Sequence, residues 1–207
     1  IVFGMLFVAG ARARHLVGIA GLGALALVTS AILSRLGLLP LLREYQVKRL
    51  LVFLNPYAYK MDAGWNVIQS MIAIGSGRFF GKGLFAGSQT QLNFLPSRHT
   101  DFIFSVIGEE LGFIGAFGVL ALFFVLLWRT VQTIGLAKDK DGALIVTGVL
   151  SMLVCHLLIN VGMTLGVMPV TGIPLPFISY GGSSFVTNAV GVALVLNVAM
   201  RRRKIMF

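Results

Sequence analysis

The sequence predicts an all-α fold, a polytopic transmembrane helical bundle with a large extracytoplasmic loop. Three observations carry this reading. Of 207 residues, 57% are hydrophobic and only 12% charged, with mean hydropathy +0.91. A soluble domain carries about twice that charge, so the chain lacks the residues to build a polar surface. Charge is also absent over long runs: 20 residues between Arg14 and Arg35, 18 over 111–128 and 59 over 142–200. Finally, basic residues collect at one set of run ends. The net charge of +10 then reads as topology signals and affinity for anionic lipid, with no nucleic acid involved. A single cysteine, Cys155, allows neither an internal disulfide nor a Cys-based metal cluster.

The chain opens inside an apolar run, residues 1–10. Ten helical residues span about 15 Å, half of a ~30 Å hydrocarbon core. The run reads as the tail of a helix, and residues 1–207 as the C-terminal part of a single integral membrane domain. A crossing needs ~20 residues, so the uncharged runs predict spans over 15–36, 107–128, 142–165 and 184–200. The longest run holds two of them, separated by the prolines and glycines of 166–184. Arg12, Arg14, Arg129, Lys138, Lys140, Arg201, Arg202, Arg203 and Lys204 lie at the same set of ends, and 166–184 holds no Lys or Arg. The positive-inside rule makes those ends and the C-terminus cytoplasmic. Two outer loops result, a large one over 37–105 and a second over 166–184.

The large loop is not simply polar. Val47, Leu50, Leu51 and Leu54 recur at helical spacing, with Lys48 and Arg49 off the stripe, which predicts an amphipathic helix ending at Asn55-Pro56. Val67, Ile68, Met71 and Ile72 predict a second short apolar helix, too short to cross. Asp101 precedes the next span. As a helix N-cap it would hold free N–H groups; as a carboxylate at the membrane rim it could act as a general base. A continuous helix over 102–128 would be about 40 Å long, placing Asp101 in the outer interface and Glu109 and Glu110 two turns deeper. Acids at that depth are costly and usually paired, so both glutamates read as structural, joining helix to helix. Gly108, Gly112 and Gly115 form a small-residue stripe suited to close packing on the same helix.

The string Gly75-Ser76-Gly77-Arg78-Phe79-Phe80-Gly81-Lys82-Gly83 fails as a P-loop, because Ser76 and Gly83 stand where Gly and Ser or Thr are required. Its turns, with Arg78 and Lys82, could still hold a phosphate. His156 sits mid-span without a charged partner and reads as interhelical packing. His99 is either an accessory group beside Asp101 or a surface histidine. Farther on, Asn160, then Gly166-Val167-Met168-Pro169-Val170-Thr171-Gly172-Ile173-Pro174-Leu175-Pro176-Phe177-Ile178-Ser179-Tyr180-Gly181-Gly182-Ser183-Ser184 describes a proline-rigid loop entering a helix. Pro174 and Pro176 stiffen it, and Ser179, Gly181, Gly182 and Ser183 offer N–H groups to an anion. Gly181 and Gly182 are expected to permit a tight entry or a positive φ.

That string resembles the signature of the SEDS family, the RodA, FtsW and SpoVE proteins. The string His99-Thr100-Asp101-Phe102-Ile103-Phe104-Ser105-Val106-Ile107-Gly108-Glu109-Glu110-Leu111-Gly112 resembles the same family's other hallmark. Gln91-Leu92-Asn93-Phe94-Leu95-Pro96 looks more like the RodA branch, and Ser97 departs from relatives that carry Glu there. The resemblance implies ten spans, of which this chain holds about the last four and a half, in the bacterial cytoplasmic membrane.

It further implies a peptidoglycan glycosyltransferase that polymerises lipid II during cell-wall elongation and shape maintenance. The partners it implies are a class B penicillin-binding protein transpeptidase and other elongation-complex proteins. Asp101 falls on the family's essential aspartate, the general base of an inverting transfer that releases undecaprenyl pyrophosphate. Arg49, Arg78, Lys82, Arg98 and His99, with the Ser179–Ser183 segment, are candidates to bind substrate. No metal site is marked, though a divalent cation, Mg²⁺ or Mn²⁺, would suit the leaving pyrophosphate. The alternative functions are a flippase for the lipid-linked precursor and a non-enzymatic scaffold. The absence of charge between Asp141 and Arg201 counts against a transport path.

Overall fold

The computed structural model describes residues 1–35, 44–59, 63–92 and 94–201. Expectations that fall on Arg43, Lys60, Asp62, Asn93, Arg202, Arg203 and Lys204 lie outside the described residues. The described chain forms α1 (Val2–Val8), α2 (Ala13–Arg35), α3 (Glu44–Leu54), a 3-10 turn (Pro56–Tyr59), α4 (Ala63–Gly77), α5 (Ser88–Gln91), α6 (Ile103–Glu110), α7 (Gly112–Leu136), α8 (Lys140–Thr164) and α9 (Gly182–Met200). Among the described residues no strand occurs. Four helices, α2, α7, α8 and α9, are long and apolar enough to cross a bilayer, so the protein is a multi-pass membrane protein. The amphipathic stripe and the second apolar run fold as α3 and α4.

The long helices stand side by side in registers set by small residues. Asp139 caps α8, accepting the Gly142 N–H at 3.0 Å. A Cβ on Gly142 would lie 3.3 Å from Val198 Cγ1, and one on Gly191 3.2 Å from Val149 Cγ1. These pairs make α8 and α9 antiparallel and place Gly182, the first residue of α9, opposite residue 158. α9 therefore begins below the end of α8, which leaves a recess over it.

One expected span boundary moves, and the change reorganises the site. The helix predicted to run unbroken from residue 102 instead ends at Glu110, and a new one starts at Gly112. Gly112 has φ +65, and a Cβ there would run into Gly81 N and sit 2.7 Å from Phe79 O. Only glycine adopts this conformation in that space without cost. The chain reverses at this point. Ser70 Oγ and Ser105 Oγ are 2.6 Å apart, and Ser70 donates to the Thr164 carbonyl at 2.7 Å. A Cβ on Gly77 would strike the Gly108 carbonyl. α4, α6 and the end of α8 therefore rise in parallel. α7 leaves from the top, where the Phe113 N–H donates to the Arg78 carbonyl at 2.8 Å. It then returns beside α6, so that Phe104, Phe123 and Leu175 share one core cluster.

The consequence inverts the expected depths. Asp101 is level with Asn160, in the last turns of α8, and Glu109 stands a turn beyond the end of that helix. The glycine stripe also divides. Gly108 packs against Ile74 of α4 and Gly112 against the 79–81 turn, whereas a Cβ on Gly115 would meet Leu111 of its own chain segment.

Candidate active site

Asp101 sits at the foot of α6 without capping it. The N-cap position is Phe102, and no side chain caps the helix, so the capping account of this aspartate falls. Its backbone carbonyl accepts a 2.9 Å hydrogen bond from Asn160 Nδ2, which also donates to the Ile173 carbonyl at 2.8 Å. Asn160 is fully buried. An amide inside a span must find partners, and this one uses its donors to tie two loops to α8. Ser179 adds a second tie, donating to the Thr100 carbonyl at 2.6 Å and accepting the Leu175 N–H at 2.7 Å. A third is the Tyr180 N–H, 2.8 Å from the His99 carbonyl. The two motif segments are thereby locked together backbone to backbone.

The Asp101 carboxylate is left out of this scaffold. Among the described residues it receives no hydrogen bond, and the residue is partly exposed. Gly172, with φ +74, passes beside it: a Cβ there would be 3.3 Å from Asp101 Oδ2. On the same peptide, Arg49 Nη1 reaches the Thr171 carbonyl at 3.5 Å. A cation and a carboxylate thus flank the Thr171-Gly172 link. Between the two motif segments lies a cleft of about 480 Å³ lined by His99, Ile103, Ile178, Ser179, Tyr180, Gly181, Gly182 and Phe185. The recess over α9 opens here. Pro176 is buried, and together with Phe177 and Ile178 it borders a second hollow, against Val119, Leu122, Phe123 and Leu126 of α7. The 171–181 segment therefore descends along α7. Phe177 has φ +63, a conformation that costs about 1–3 kcal/mol for a non-glycine residue and gathers at functional sites.

The expected residues split into two groups. His99, Ser179, Gly181 and Gly182 line the cleft, Asp101 and Arg49 flank the Thr171-Gly172 peptide, and Arg98 bonds His99. Arg98 Nε donates to His99 Nε2 at 3.0 Å, and its Nη1 donates to the Thr90 carbonyl. Arg78 and Lys82 are elsewhere, in a hollow of about 540 Å³ over residues 76–82. Lys82 Nζ is 2.8 Å from Glu109 Oε1, so its charge is already matched. Gly181 and Gly182 do not have the expected positive φ: Gly181 is extended (φ 166) and a Cβ on Gly182 would meet open space. Positive φ belongs to Gly166, Gly172 and Phe177. Ser183 is exposed in the first turn of α9.

Glu109 is completely buried, and its bonds run to the loop rather than to a neighbouring long helix. Oε1 accepts from Lys82 Nζ (2.8 Å), the Gln89 N–H (3.0 Å) and Ser88 Oγ (3.3 Å); Oε2 accepts from the Thr90 N–H (3.2 Å) and Thr90 Oγ1 (2.9 Å). Burial acts to raise its pKa, but the bonds from Lys82, Gln89 and Thr90 and the lysine charge outweigh it and hold the group below its ordinary value. The carbonyls of Glu109 and Glu110 accept the N–H groups of Lys82 and Gly83, each at 3.0 Å. Sequence reading missed Ser88, Thr90, Asn160 and Tyr180 as partners. Only Asn160 left a signal, as a polar amide inside an uncharged span. Among the described residues no three of His, Cys, Asp and Glu cluster as metal ligands.

The family model described as cell cycle protein, covering FtsW, RodA and SpoVE, matches residues 1–204. The chain belongs to the FtsW/RodA/SpoVE family. Among FtsW/RodA/SpoVE proteins it is similar to the peptidoglycan glycosyltransferase RodA of Treponema pallidum, 47% identical over 78% of this chain and 37% of the relative. It is also similar to stage V sporulation protein E of Bacillus subtilis, 43% identical over 96% of this chain and 52% of the relative. A solved structure concerned with coordination of polymerization and crosslinking by a peptidoglycan synthase complex superposes with a TM-score of 0.72. That match is 35% identical and covers 98% of this chain and 55% of the other. The rod shape determining protein RodA of Thermus thermophilus gives 0.59 at 31% identity, over 98% and 47%. The chain thus spans about half, or less, of the length of these FtsW/RodA/SpoVE relatives.

Proposed function

We propose that the whole protein is a peptidoglycan glycosyltransferase that polymerises lipid II, with Asp101 as its general base. The observation that carries this reading is the Asp101 carboxylate. It is held in place by bonds to its own backbone, accepts none itself among the described residues, and lies beside Gly172, in the loop that joins the two motif segments. A base must be positioned and yet free to take a proton. In the step proposed, Asp101 removes the proton of the acceptor sugar hydroxyl. That oxygen bonds to the anomeric carbon of the donor from the face opposite the pyrophosphate. The C–O bond to the pyrophosphate breaks, and undecaprenyl pyrophosphate leaves with the electron pair. One base and inversion suffice, with no covalent sugar–enzyme intermediate.

Arg49 reaches the Thr171 carbonyl, on the peptide that leads into Gly172, and His99 lines the neighbouring cleft. Arg49 with the Gly181–Ser183 N–H groups is proposed to meet the pyrophosphate, whereas both the hydroxyl and the N–H of Ser179 are already committed to the scaffold. Among the described residues no three acids, histidines or cysteines cluster to hold a divalent cation, so one bound during turnover would be held mainly by the substrate phosphates and water. The cation would then stabilise charge on the leaving group. The reading places the protein in the bacterial cytoplasmic membrane, with its C-terminus cytoplasmic and the cleft on the outer side. It pairs the protein with a class B penicillin-binding protein in an elongation complex. The test uses full-length protein and lipid II. Wild type should yield glycan polymer, and Asp101→Asn should lower the rate ~10²–10⁴-fold while still binding lipid II. Polymer at the wild-type rate from Asp101→Asn would refute Asp101 as the base.

A further inference from the structure

We infer that Glu109 is a positioning residue for the catalytic segment, acting through α5 and Arg98; this rests on the reading of Asp101 as the base. The contacts close a ring. α6 forms one side, with Asp101 at its foot and Glu109 at its top. At the top, five donors from Lys82, Ser88, Gln89 and Thr90 converge on the two Glu109 oxygens. They fix α5 against α6. Gly87 is buried, and a Cβ on it would lie 2.7 Å from Glu109 Oε2, so glycine there lets the carboxylate in. The return side is Arg98, which donates from Nη1 to the carbonyl of Thr90, the residue that Glu109 holds by both N–H and hydroxyl. Arg98 Nε also donates to His99 Nε2 at 3.0 Å. The Phe102 N–H then bonds the Ser97 carbonyl at 3.2 Å, which closes the turn carrying Asp101.

The segment 97–101 is therefore suspended from two directions, from α8 and the 171–180 loop on one side and from Glu109 through α5 on the other. The carboxylate suits this task better than its amide. Five donors meet two acceptor oxygens; glutamine offers one oxygen and turns an NH₂ toward donors. Arg98 likewise uses its fork, since two separate nitrogens, Nη1 and Nε, hold its two partners in a fixed geometry, whereas a lysine must reach both from one nitrogen on a flexible stem. Position matters because a misplacement of ~1 Å can cost ~10²-fold in rate.

The test is a kinetic cycle in the full-length protein, scored per folded molecule with lipid II as substrate. Glu109→Gln and Arg98→Lys should each lower kcat about 10- to 100-fold, with KM for lipid II changed less than about threefold. The double variant should be no slower than the slower single, because both break one connection. A purely structural glutamate would lower the yield and thermal midpoint while leaving kcat per folded molecule intact. That result, or losses that multiply in the double variant, would overturn the inference. If Glu109→Gln does not accumulate, Thr90→Val, which removes only the hydroxyl bond to Oε2, takes its place under the same criteria. Asp101→Asn run alongside keeps the two ideas separate. If it retains activity, the base assignment fails whatever the cycle shows; if it is inactive and the cycle is additive, only the positioning role fails.

Discussion

The two ends of α6 carry acids put to opposite uses. At the top, Glu109 is fully buried, accepts five hydrogen bonds and faces Lys82 at 2.8 Å. At the foot, Asp101 is partly exposed, and its carboxylate accepts none among the described residues. Its surroundings hold its backbone instead, through Asn160 and through the neighbouring Thr100 and His99 carbonyls. A fully bonded acid stabilises a fold but is poorly placed to take a proton. An acid anchored by its main chain remains available for chemistry. The difference separates structure from function more sharply than burial or motif membership does.

The comparison breaks first at Asp101→Asn. With no cap to lose and no bond to its carboxylate, this variant should unfold within about 0.5 kcal/mol of wild type while losing ~10²–10⁴ in polymerisation rate. A matched drop in thermal midpoint would mean the carboxylate is structural after all. Glu109→Ala should do the reverse, destabilising by about 3 kcal/mol, the low end for breaking a buried ion pair, because Lys82 is still partly in contact with solvent. Thermal unfolding in detergent measures it. Gly112→Ala comes next, at roughly 2–3 kcal/mol, from positive φ and the crowding against Gly81 and Phe79.

Acid sharpens the contrast further. Glu109 titrates below its ordinary value of 4.5, so its contribution is complete above about pH 4.5 and fades as the pH falls toward the lower folded value. Amide exchange at Gln89 and Thr90, corrected for intrinsic rate, should accelerate only once the pH has fallen below 4.5, as the carboxylate is protonated. The smallest effect belongs to Gly182→Ala. Its Cβ enters open space at a helical φ, and stability should change by less than about 0.5 kcal/mol. A large loss would place a neighbour over that face.

Much of the bundle was legible because charge is expensive in hydrocarbon. The uncharged runs located α2, α8 and α9 to within about two residues, whereas α7 begins five and ends eight residues later than expected. The reversal at Gly112 was not legible. Leu111, Gly112 and Phe113 are apolar and carry neither proline nor charge, so hydropathy reads straight through a turn whose cause is the backbone of residues 79–81. The inverted depth of Asp101 and Glu109 follows from that one omission. The glycine pair at 181–182 was less legible: it was read as permitting a tight entry or a positive φ, yet the positive φ values in this loop are at Gly166, Gly172 and Phe177. α5 was invisible because four residues make no periodic pattern, and only Glu109, 18 residues beyond its end, gives it a reason to form.

Synthesis order follows from the partners of Asp101. The segment 99–101 leaves the ribosome first, and the Asn160 amide, the Ser179 hydroxyl and the Tyr180 N–H that hold it are made some 60 to 80 residues later. Helices α6, α7 and much of α8 can be in place while the aspartate still lacks its frame. Only when the chain has been read past Tyr180 do the two motifs meet, so the frame around Asp101 is assembled by residues made well after it.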